Sequence, residues 1–350
     1  HATMAALDCT ASEAKKWNNV KAYEDRMCGA AEGCIERYLE LSKYRKESLK
    51  KVATPCIDDN LMSPEDMVSK GALAPVASKI VLKALYLARL ARPDLLYSVN
   101  ALAREVTKWT VACDKRLHRL MCYINHTKDN VMLSFVGDKP EDCKLMLFCD
   151  ASFAGDLKDS KSTTGGILCL VGPRTFAPIS WMCKKQGAVS HSSTEAEIIS
   201  MDACVRMEGL PLLLLWDLVI ETFHPGLIKP KKKTKITNPQ RNFPIYNILD
   251  NVDYVPTNLP ISDGNATMLI LEDNQAVIAM CNKCRSPNMR HVARTHRVDL
   301  DWLFERIHKD EAISIKYVST KKQLADILTK GSFTEVTWKA LCELVQIQPK

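Results

Sequence analysis

Apolar and polar positions follow two different patterns along the chain, and the change falls near residue 137. Between residues 77 and 126 apolar residues recur three or four positions apart, as Val81, Leu85 and Ala88 do, which predicts successive helices with a break at Pro93. From residue 144 onward the apolar runs are short and rich in residues that favour strands. The turn-forming sequence GDKP, at 137–140, separates the two halves.

The second half predicts an alternation of strands and helices. KLMLFCD, GGILCLV and ISWMCKK predict three strands, a helix follows from residue 192 to about 220, and MLILED predicts a fourth strand. Two helices, the strand ISIKYV and a last helix over KKQLADILTK complete the series. This order indicates an α/β fold with a mixed sheet flanked by helices, preceded by a mostly helical segment. A stretch at about 224–266, rich in Pro, Asn and Lys, predicts a loop insertion.

The composition is typical of a globular protein in a reducing compartment. Of the 350 residues 46% are hydrophobic and 25% are charged, and the net charge of +7 suits a polyanionic partner. Fourteen cysteines lie singly in apolar runs, which predicts free thiols. The longest apolar run, GLPLLLLWDLVI, is shorter than the roughly 20 residues that cross a membrane, so no membrane partner is expected. A start at His1 is expected of a fragment or a processed product.

Four acidic residues carry the candidate chemistry. They are Asp150 at the end of KLMLFCD, Glu197 in HSSTEAEII, Asp273 at the end of MLILED, and Asp326 in QLADILTK. Carboxylates that are brought close together raise one another's pKa, and a bound divalent cation is the usual compensation. The four therefore predict the magnesium site of a two-metal phosphodiesterase. Asp326 in particular needs such a role, because aspartate is unfavourable inside a helix.

The start of the long helix leaves a choice between two glutamates. Glu195 and Glu197 are two positions apart and therefore point to roughly opposite sides of a helix, so only one of them can face the metals. Ser192 and Glu195 have the spacing of a capping box, but Thr194 and Glu197 share that spacing. The residues alone leave both assignments open.

Several motifs together resemble a known family. The runs FCDASFAGDLKDSKSTTGGILCLVG, ISWMCKKQGAVSHSSTEAEIIS, LEDNQAVIAM and YVSTKKQLADILTKG resemble, in this order, the ribonuclease H domain that ends the Pol polyprotein of copia-type retrotransposons. Upstream, ALYLARLARPDLLYSVNALAREVTKW and KRLHRLMCYINHTKD resemble the helical segment that joins the reverse transcriptase thumb to that domain. The resemblance implies a helical thumb or connection remnant at 77–137 and a ribonuclease H-like domain at 138–350. Residues 1–76 form an N-terminal segment that stays poorly assigned.

The resemblance implies an endonuclease that hydrolyses the RNA strand of RNA–DNA hybrids during reverse transcription. It assigns two Mg²⁺ ions, which Mn²⁺ can replace, to Asp150, Glu197, Asp273 and Asp326, and so favours Glu197 over Glu195. Contacts to 2′-hydroxyls and phosphates are expected from Ser152, Asn274, Gln275, Lys161, Lys184, Lys185 and Lys330. The expected partners are the hybrid and the reverse transcriptase portion of the parent polyprotein, in a cytoplasmic virus-like particle or in the nucleus.

Other interpretations of the same residues are possible. A catalytically silent remnant that grips nucleic acid or a polymerase is the alternative, although the presence of all four acids favours activity. Asp58 and Asp59 form an acidic pair, but Pro55 before it and SPE after it are typical of a turn and a helix start, so polymerase activity is not expected. The loop before Asp326 contains no histidine, and His296 is interpreted as a structural residue without a partner.

Overall fold

The computed structural model describes residues 20–155, 159–224, 265–284, 289 and 291–350. Within these ranges the strands are β1 (Lys21–Asp25), β2 (Asn130–Val136), β3 (Lys144–Ser152), β4 (Thr163–Gly172), β5 (Thr175–Lys185), β6 (Met268–Glu272), β7 (Ile313–Tyr317) and β8 (Ile347–Pro349). The α-helices are α1 (Cys28–Ser42), α2 (Pro64–Val68), α3 (Ala77–Leu90), α4 (Leu96–Ala103), α5 (Val111–His126), α6 (Ser193–Cys204), α7 (Leu210–Phe223), α8 (Gln275–Lys283), α9 (Val292–Thr295), α10 (Leu300–Lys309) and α11 (Glu335–Leu344). A π-helical turn (Val205–Gly209) joins α6 to α7, and a 3₁₀ helix (Leu324–Leu328) follows β7.

One mixed sheet contains all of these strands. Its order is β1-β2-β5-β4-β3-β6-β7, and β8 lies beside β2. The strands β3, β4 and β5 pair antiparallel, whereas β3, β6 and β7 run parallel. Parallel neighbours require crossover connections, and helices supply them here. The predicted α/β fold with a ribonuclease H-like mixed sheet flanked by helices is therefore confirmed.

Each face of the sheet packs against its own group of helices. Along β3, Leu145, Leu147 and Cys149 point to one face and pack with α6, α7, α8 and α10, in what we call the long-helix core. Phe148 points to the other face and packs with α1, α3, α4, α5 and α11, in the helical-layer core. Because side chains alternate along a strand, Asp150 points to the same side as Phe148. Burial on both faces explains why KLMLFC is an almost continuous apolar run.

The predicted helical segment forms a layer on the sheet, and a buried polar chain connects it to α11. Arg92 and Asp94 form an ion pair with an Nη2–Oδ2 distance of 2.7 Å, and their side chains are 2% and 0% exposed. The Asp94 carboxylate accepts the Tyr123 hydroxyl at 3.0 Å, and that hydroxyl accepts the Trp338 indole N–H at 3.0 Å. The strands β1, β2 and β8 were not predicted, and β2 ends just before the proposed boundary at 137. The domain boundaries stay a prediction.

The last predicted helix is wrong in type, since KKQLADILTK forms the short 3₁₀ helix Leu324–Leu328. Its hydrogen bonds join residues three apart, as from the Asp326 amide to the Gln323 carbonyl at 3.4 Å and from the Thr329 amide to the Asp326 carbonyl at 3.2 Å. The Gln323 side chain anchors this helix to β3 by donating to the Cys149 carbonyl at 2.8 Å. The Gln323 hydrogen bond and the tight 3₁₀ winding together hold Asp326 against the sheet.

Other expectations have separate outcomes. Asp58 and Asp59 do begin a turn: the Asp58 carboxylate accepts the Asn60 amide at 3.0 Å, and Asp59 pairs with Arg116 at 2.6 Å. The predicted insertion at 224–266 lies outside the described residues except for its ends. Among the helices that the structure describes, none is long and apolar enough to span a membrane.

Candidate metal centre

Three of the predicted acids meet at the end of the central strand β3. Asp150 lies on β3, Glu197 lies on α6, and Asp273 directly follows β6. One carboxylate oxygen of each residue lies within 4.8 Å of one oxygen of each of the other two. Asp150 and Glu197 are buried, with 1% and 7% of their surface exposed, and Asp273 is half-buried. Carboxylate oxygens are the protein ligands that Mg²⁺ prefers. The structure therefore brings together three of the four predicted metal ligands.

Hydrogen bonds from neighbouring elements hold the end of β3 in place. Ser200 on α6 donates its hydroxyl to the Asp150 carbonyl at 2.6 Å, and Gln323 donates to the preceding carbonyl, that of Cys149. Thr329 donates its hydroxyl to the Asp150 carboxylate. The backbone and the side chain of Asp150 are thus positioned by α6 and by the segment around the 3₁₀ helix.

Two glycines in β4 allow these elements to approach the strand so closely. Gly165 pairs with Asp150 in the β3–β4 ladder. A Cβ on Gly165 would overlap the Thr329 side chain and would lie 3.1 Å from the Ala325 carbonyl oxygen. On the opposite face, a Cβ on Gly166 would lie 2.5 Å from the Sγ of Cys204. The Gly-Gly pair therefore makes room for the 3₁₀ helix on one face and for α6 on the other.

The fourth predicted acid, Asp326, lies against Asp150 in a side-chain hydrogen bond, and a lysine contacts both. Asp326 is 7% exposed, and one of its oxygens accepts a hydrogen bond from the Lys330 ammonium. The same Nζ lies 3.7 Å from Oδ2 of Asp150. Asp326 does not belong to the group of three carboxylates that lie within 4.8 Å of one another. A cation from the chain itself therefore bridges Asp326 and Asp150.

Burial makes the charged forms of these carboxyls costly. It raises the pKa of Asp150 to about 6; the charge of Lys330 opposes that rise and the charge of Asp326 adds to it. Burial also raises the pKa of Asp273, although the Thr320 hydroxyl donates to its carboxylate at 2.9 Å. A bound divalent cation would favour the ionised forms of both groups.

Glu197 has the largest shift among the predicted ligands and offers an unused oxygen. Burial, followed by the charges of Asp150 and Glu272, raises the pKa of Glu197 to about 10. Its Oε2 atom is buried and has no hydrogen-bond partner among the described residues. A buried carboxylate oxygen without a partner is costly unless it binds a cation or a proton. The donor set and this oxygen fit a hard divalent cation such as Mg²⁺ or Mn²⁺.

Glu272 is a further buried carboxylate beside the site, where its charge acts on Glu197, and the sequence analysis missed it. It is the last residue of β6, has no exposed surface, and has a pKa that burial raises to about 8. One oxygen accepts the Asn274 amide at 3.1 Å, and the other has no partner among the described residues. The sequence did contain a signal for Glu272. Like Asp273, it is an acidic residue that directly follows the apolar run MLIL.

Glu195 points away from this group and faces two histidines. The Ser192 hydroxyl caps α6 by accepting the Glu195 amide at 3.1 Å, as the capping-box spacing predicted, but the Glu195 carboxylate accepts the amide of His191, at 3.0 Å, rather than that of Ser192. Its two oxygens lie 3.1 Å from Nε2 of His296 and 3.2 Å from Nε2 of His291. The interpretation of His296 as a histidine without a partner is therefore wrong. Glu197 and Glu195 do point to different sides of the helix.

The four lysines predicted to contact phosphates have different surroundings. Lys330 lies within the site, and Lys184 is exposed on β5. Lys161 and Lys185 both approach the Asp159 carboxylate, with N–O distances of 3.9 Å and 2.8 Å. Of the four, Lys330 is the one that contacts the acidic residues of the site.

The three polar residues predicted to contact 2′-hydroxyls lie beside the site, and two of them have local roles. The Ser152 hydroxyl oxygen accepts the Thr163 amide at 3.2 Å. Asn274 caps α8, since its side-chain oxygen accepts the Ala276 amide at 3.0 Å. Gln275, at the start of α8, is exposed. Their role in substrate binding stays a prediction.

Comparison with known proteins gives a consistent relationship. The chain is 30% identical over 294 residues, 83% of its length, to the Retrovirus-related Pol polyprotein from transposon RE2 of Arabidopsis thaliana, and it covers 16% of that polyprotein. It is 26% identical over 314 residues, 84% of its length, to the Retrovirus-related Pol polyprotein from transposon TNT 1-94 of Nicotiana tabacum, and it covers 19% of that polyprotein. The chain is related to retrotransposon Pol polyproteins.

The chain is also similar to a shorter transposon protein, whereas two other comparisons found no match. The chain is 31% identical over 127 residues to the Putative transposon Ty5-1 protein of Saccharomyces cerevisiae, an alignment that spans 36% of the chain and 39% of that protein. No family profile matches the chain, and no solved structure matches it significantly. The chain spans less than a fifth of the length of the two polyproteins above.

Proposed function

We propose that the chain is a metal-dependent ribonuclease H, an endonuclease that hydrolyses the RNA strand of RNA–DNA hybrids during retrotransposon reverse transcription. The convergence of Asp150, Glu197 and Asp273 at the end of β3 is the observation that supports this proposal most. The relationship to Pol polyproteins supports a role in the retrotransposon cycle. The reverse transcriptase portion of a longer polyprotein is the proposed protein partner.

The acids and their supporting residues have distinct tasks in this proposal. Asp150, Glu197 and Asp273 would hold one Mg²⁺, Asp150 and Asp326 would hold a second, and Mn²⁺ could replace either. When bound, the ions lower the pKa of the attacking water and stabilise the leaving 3′-oxygen. The hydrogen bond from Thr329 orients the Asp150 carboxylate. Such fixed orientation lowers the reorganisation that the reaction requires.

Residues at the surface around the acids would select the hybrid. An RNA strand differs from DNA by its 2′-hydroxyls, which hydrogen-bonding side chains can recognise in the minor groove. Gln275 is exposed beside Asp273, and the amide nitrogen of the Asn274 side chain is not used by the cap that its oxygen forms. Lys184 is exposed and suits a phosphate contact, which any strand would provide.

Cleavage of three labelled duplexes tests the proposal. The protein is incubated with an RNA–DNA hybrid, duplex RNA or duplex DNA, in Mg²⁺, in Mn²⁺ or in EDTA. We expect cleavage of the RNA strand of the hybrid alone, in either metal, and none in EDTA or with Asp150→Asn. Cleavage that persists at full rate in EDTA, or that Asp150→Asn does not reduce, would remove the metal centre from the reaction.

The same experiment separates an enzyme from a silent remnant. A remnant would bind the hybrid, seen as a mobility shift or as fluorescence anisotropy, without cleaving it in either metal. We expect binding and cleavage together, because all four acids are present and three of them converge.

A further inference from the structure

A second cluster of side chains that can bind a metal lies on the side of α6 that faces away from the carboxylate centre. Oε1 of Glu195 lies 3.1 Å from Nε2 of His296, and Oε2 of the same residue lies 3.2 Å from Nε2 of His291. Glu195 is 1% exposed, and the His296 side chain is 2% exposed. The cluster is separate from the residues to which the proposed nuclease assigns a task.

The close atoms of this cluster do not form hydrogen bonds with one another. Oε1 of Glu195 and the Nε2 atoms of both histidines are buried, and none of the three has a hydrogen-bond partner among the described residues. Their distances would suit hydrogen bonds, so it is the direction of the contacts that does not. Buried polar atoms without a partner are costly, and one metal ion can satisfy several of them together.

We propose that Glu195, His291 and His296 bind a Zn²⁺ ion, with water as the fourth ligand. Two imidazoles and one carboxylate are a ligand set that proteins use for zinc, whereas Mg²⁺ prefers oxygen ligands. Zinc bonds to such ligands are about 2.0–2.2 Å long, so neighbouring ligand atoms in a tetrahedral site lie roughly 3.3–3.6 Å apart. The distances of 3.1 Å and 3.2 Å between the carboxylate and the two rings are close to that spacing.

The surrounding fold holds the three side chains in position. The one-turn helix α9 separates the two histidines, and its Val292 is fully buried in the long-helix core. The His191 amide donates to the Glu195 carboxylate at 3.0 Å, and the His191 ring meets the His291 ring edge-on, with centroids 5.1 Å apart. The His291 side chain is 39% exposed, which gives water a path to the ion.

An ion at this position would join the start of α6 to the segment between α8 and α10. Glu195 lies in the first turn of α6, and Glu197 follows it by two positions. The ion would therefore fix the rotation of α6, on which the position of Glu197 depends. Because the unfolded chain does not hold the three ligands together, Zn²⁺ should also stabilise the folded protein.

Zinc affinity of the full chain tests the proposal without any cleavage assay. Zn²⁺ is titrated against a chromophoric chelator in excess Mg²⁺, which occupies oxygen-rich sites, with a phosphine that keeps the cysteines reduced. We expect one tightly bound ion, and binding at least tenfold weaker in each ligand variant, His291→Gln, His296→Gln and Glu195→Gln. His224→Gln is the matched control, since His224 lies 3.3 Å from a different carboxylate, that of Glu141, and should stay within threefold.

Zinc-edge X-ray absorption of the wild type identifies the ligand atoms even if a variant fails to fold. We expect nitrogen or oxygen neighbours at about 2.0–2.2 Å and the outer-shell scattering of imidazole. Sulfur neighbours at about 2.3 Å would assign the ion to cysteines and refute the proposal. A wild type that binds no Zn²⁺ would refute it, as would an affinity within threefold of the wild type in both histidine variants.

One further variant separates this site from the carboxylate centre. Asp150→Asn should keep its affinity for Zn²⁺ within threefold of the wild type, because Asp150 is not a ligand of the proposed ion. A tenfold loss would place the ion in the carboxylate centre and refute the proposal. A protein that binds Zn²⁺ as expected but cleaves no hybrid would refute the nuclease alone, so the two proposals fail independently.

Discussion

Replacing Asp150 with asparagine should abolish cleavage and, at the same time, stabilise the metal-free protein. The change removes a proposed ligand, so cleavage should fall far more than tenfold, which corresponds to about 1.4 kcal/mol in the barrier. It removes little packing, because asparagine has nearly the same shape. The two effects have opposite signs, and a residue with a purely structural role would not produce both.

The size of the stabilisation follows from the burial of Asp150, which is 1% exposed. Burial raises its pKa from 3.8 to about 6, a difference that corresponds to about 3 kcal/mol. Below about pH 4 the carboxyl is protonated in both the folded and the unfolded chain, so this cost is absent. As the pH rises from about 4 to about 6 the carboxyl ionises in the unfolded chain but not in the folded one, so the folded metal-free protein loses stability; above about 6 the loss is complete. Asparagine keeps an acceptor for Thr329 but loses the attraction to Lys330, so we expect a gain of about 1–3 kcal/mol at pH 8.

Urea unfolding in EDTA, at pH 4 and at pH 8, measures this gain in the free energy of unfolding. Asp150→Asn should exceed the wild type at pH 8 and match it at pH 4, and Mg²⁺ should stabilise the wild type more than the variant. Asp25→Asn, on the exposed strand β1, is the control and should show neither effect. An Asp150→Asn protein that is less stable than the wild type at pH 8 in EDTA would show that the carboxylate supports the fold and would refute the reasoning.

Three further predictions concern neighbouring residues. Glu197→Gln should abolish cleavage as Asp150→Asn does, without lowering metal-free stability, whereas Glu195→Gln should lower the free energy of unfolding by about 1–3 kcal/mol, because the Glu195 carboxylate is buried against His296 and also approaches the more exposed His291. Paired cleavage and unfolding assays with the outcomes exchanged would contradict the orientation of α6. Gly165→Ala should cost about 1–3 kcal/mol and reduce cleavage, because its Cβ would push on Thr329; Gly187→Ala, where a Cβ meets nothing within 4 Å, is its control in both assays. The buried Cys149 should resist a thiol reagent in the native protein while the exposed Cys284 reacts, and mass spectrometry after labelling would reveal the opposite order.

The central part of the sheet was predictable because its strands are buried on both sides. The runs KLMLFC, GGILCLV and MLILE are apolar except for Lys144 and Glu272 at their ends, which sets them apart from amphipathic helices, and the structure confirms β3, β4, β5, β6 and β7. Two of the missed strands, β1 and β8, have no such signal, whereas β2 (NVMLSFV) does have an apolar run. All five residues of β1 are exposed, and β8 has three residues. Both pair with β2, far away in the chain, so tertiary contact rather than local pattern makes them strands.

A site residue could be predicted where its neighbours in the sequence make it unusual. It could not be predicted where its role depends on a partner that is distant in the sequence. Asp150 and Asp273 interrupt apolar strands at their ends, which is visible in the sequence. The pairing of Glu195 with His296 joins positions about a hundred residues apart, and periodicity carries no information about it. The 3₁₀ helix was read as an α-helix because the spacing of its apolar residues fits both.

The buried charges around β3 would favour a bound cation at this strand end. Asp150, Glu197 and Glu272 are buried, and burial raises the pKa of each, so the folded chain without a cation must either take up protons there or lose stability. Lys330 compensates in part, since its ammonium donates to Asp326 and lies 3.7 Å from Oδ2 of Asp150. The unpartnered oxygens of Glu197 and Glu272 have no such compensation among the described residues. A divalent cation bound by Asp150, Glu197 and Asp273 would supply the missing compensation.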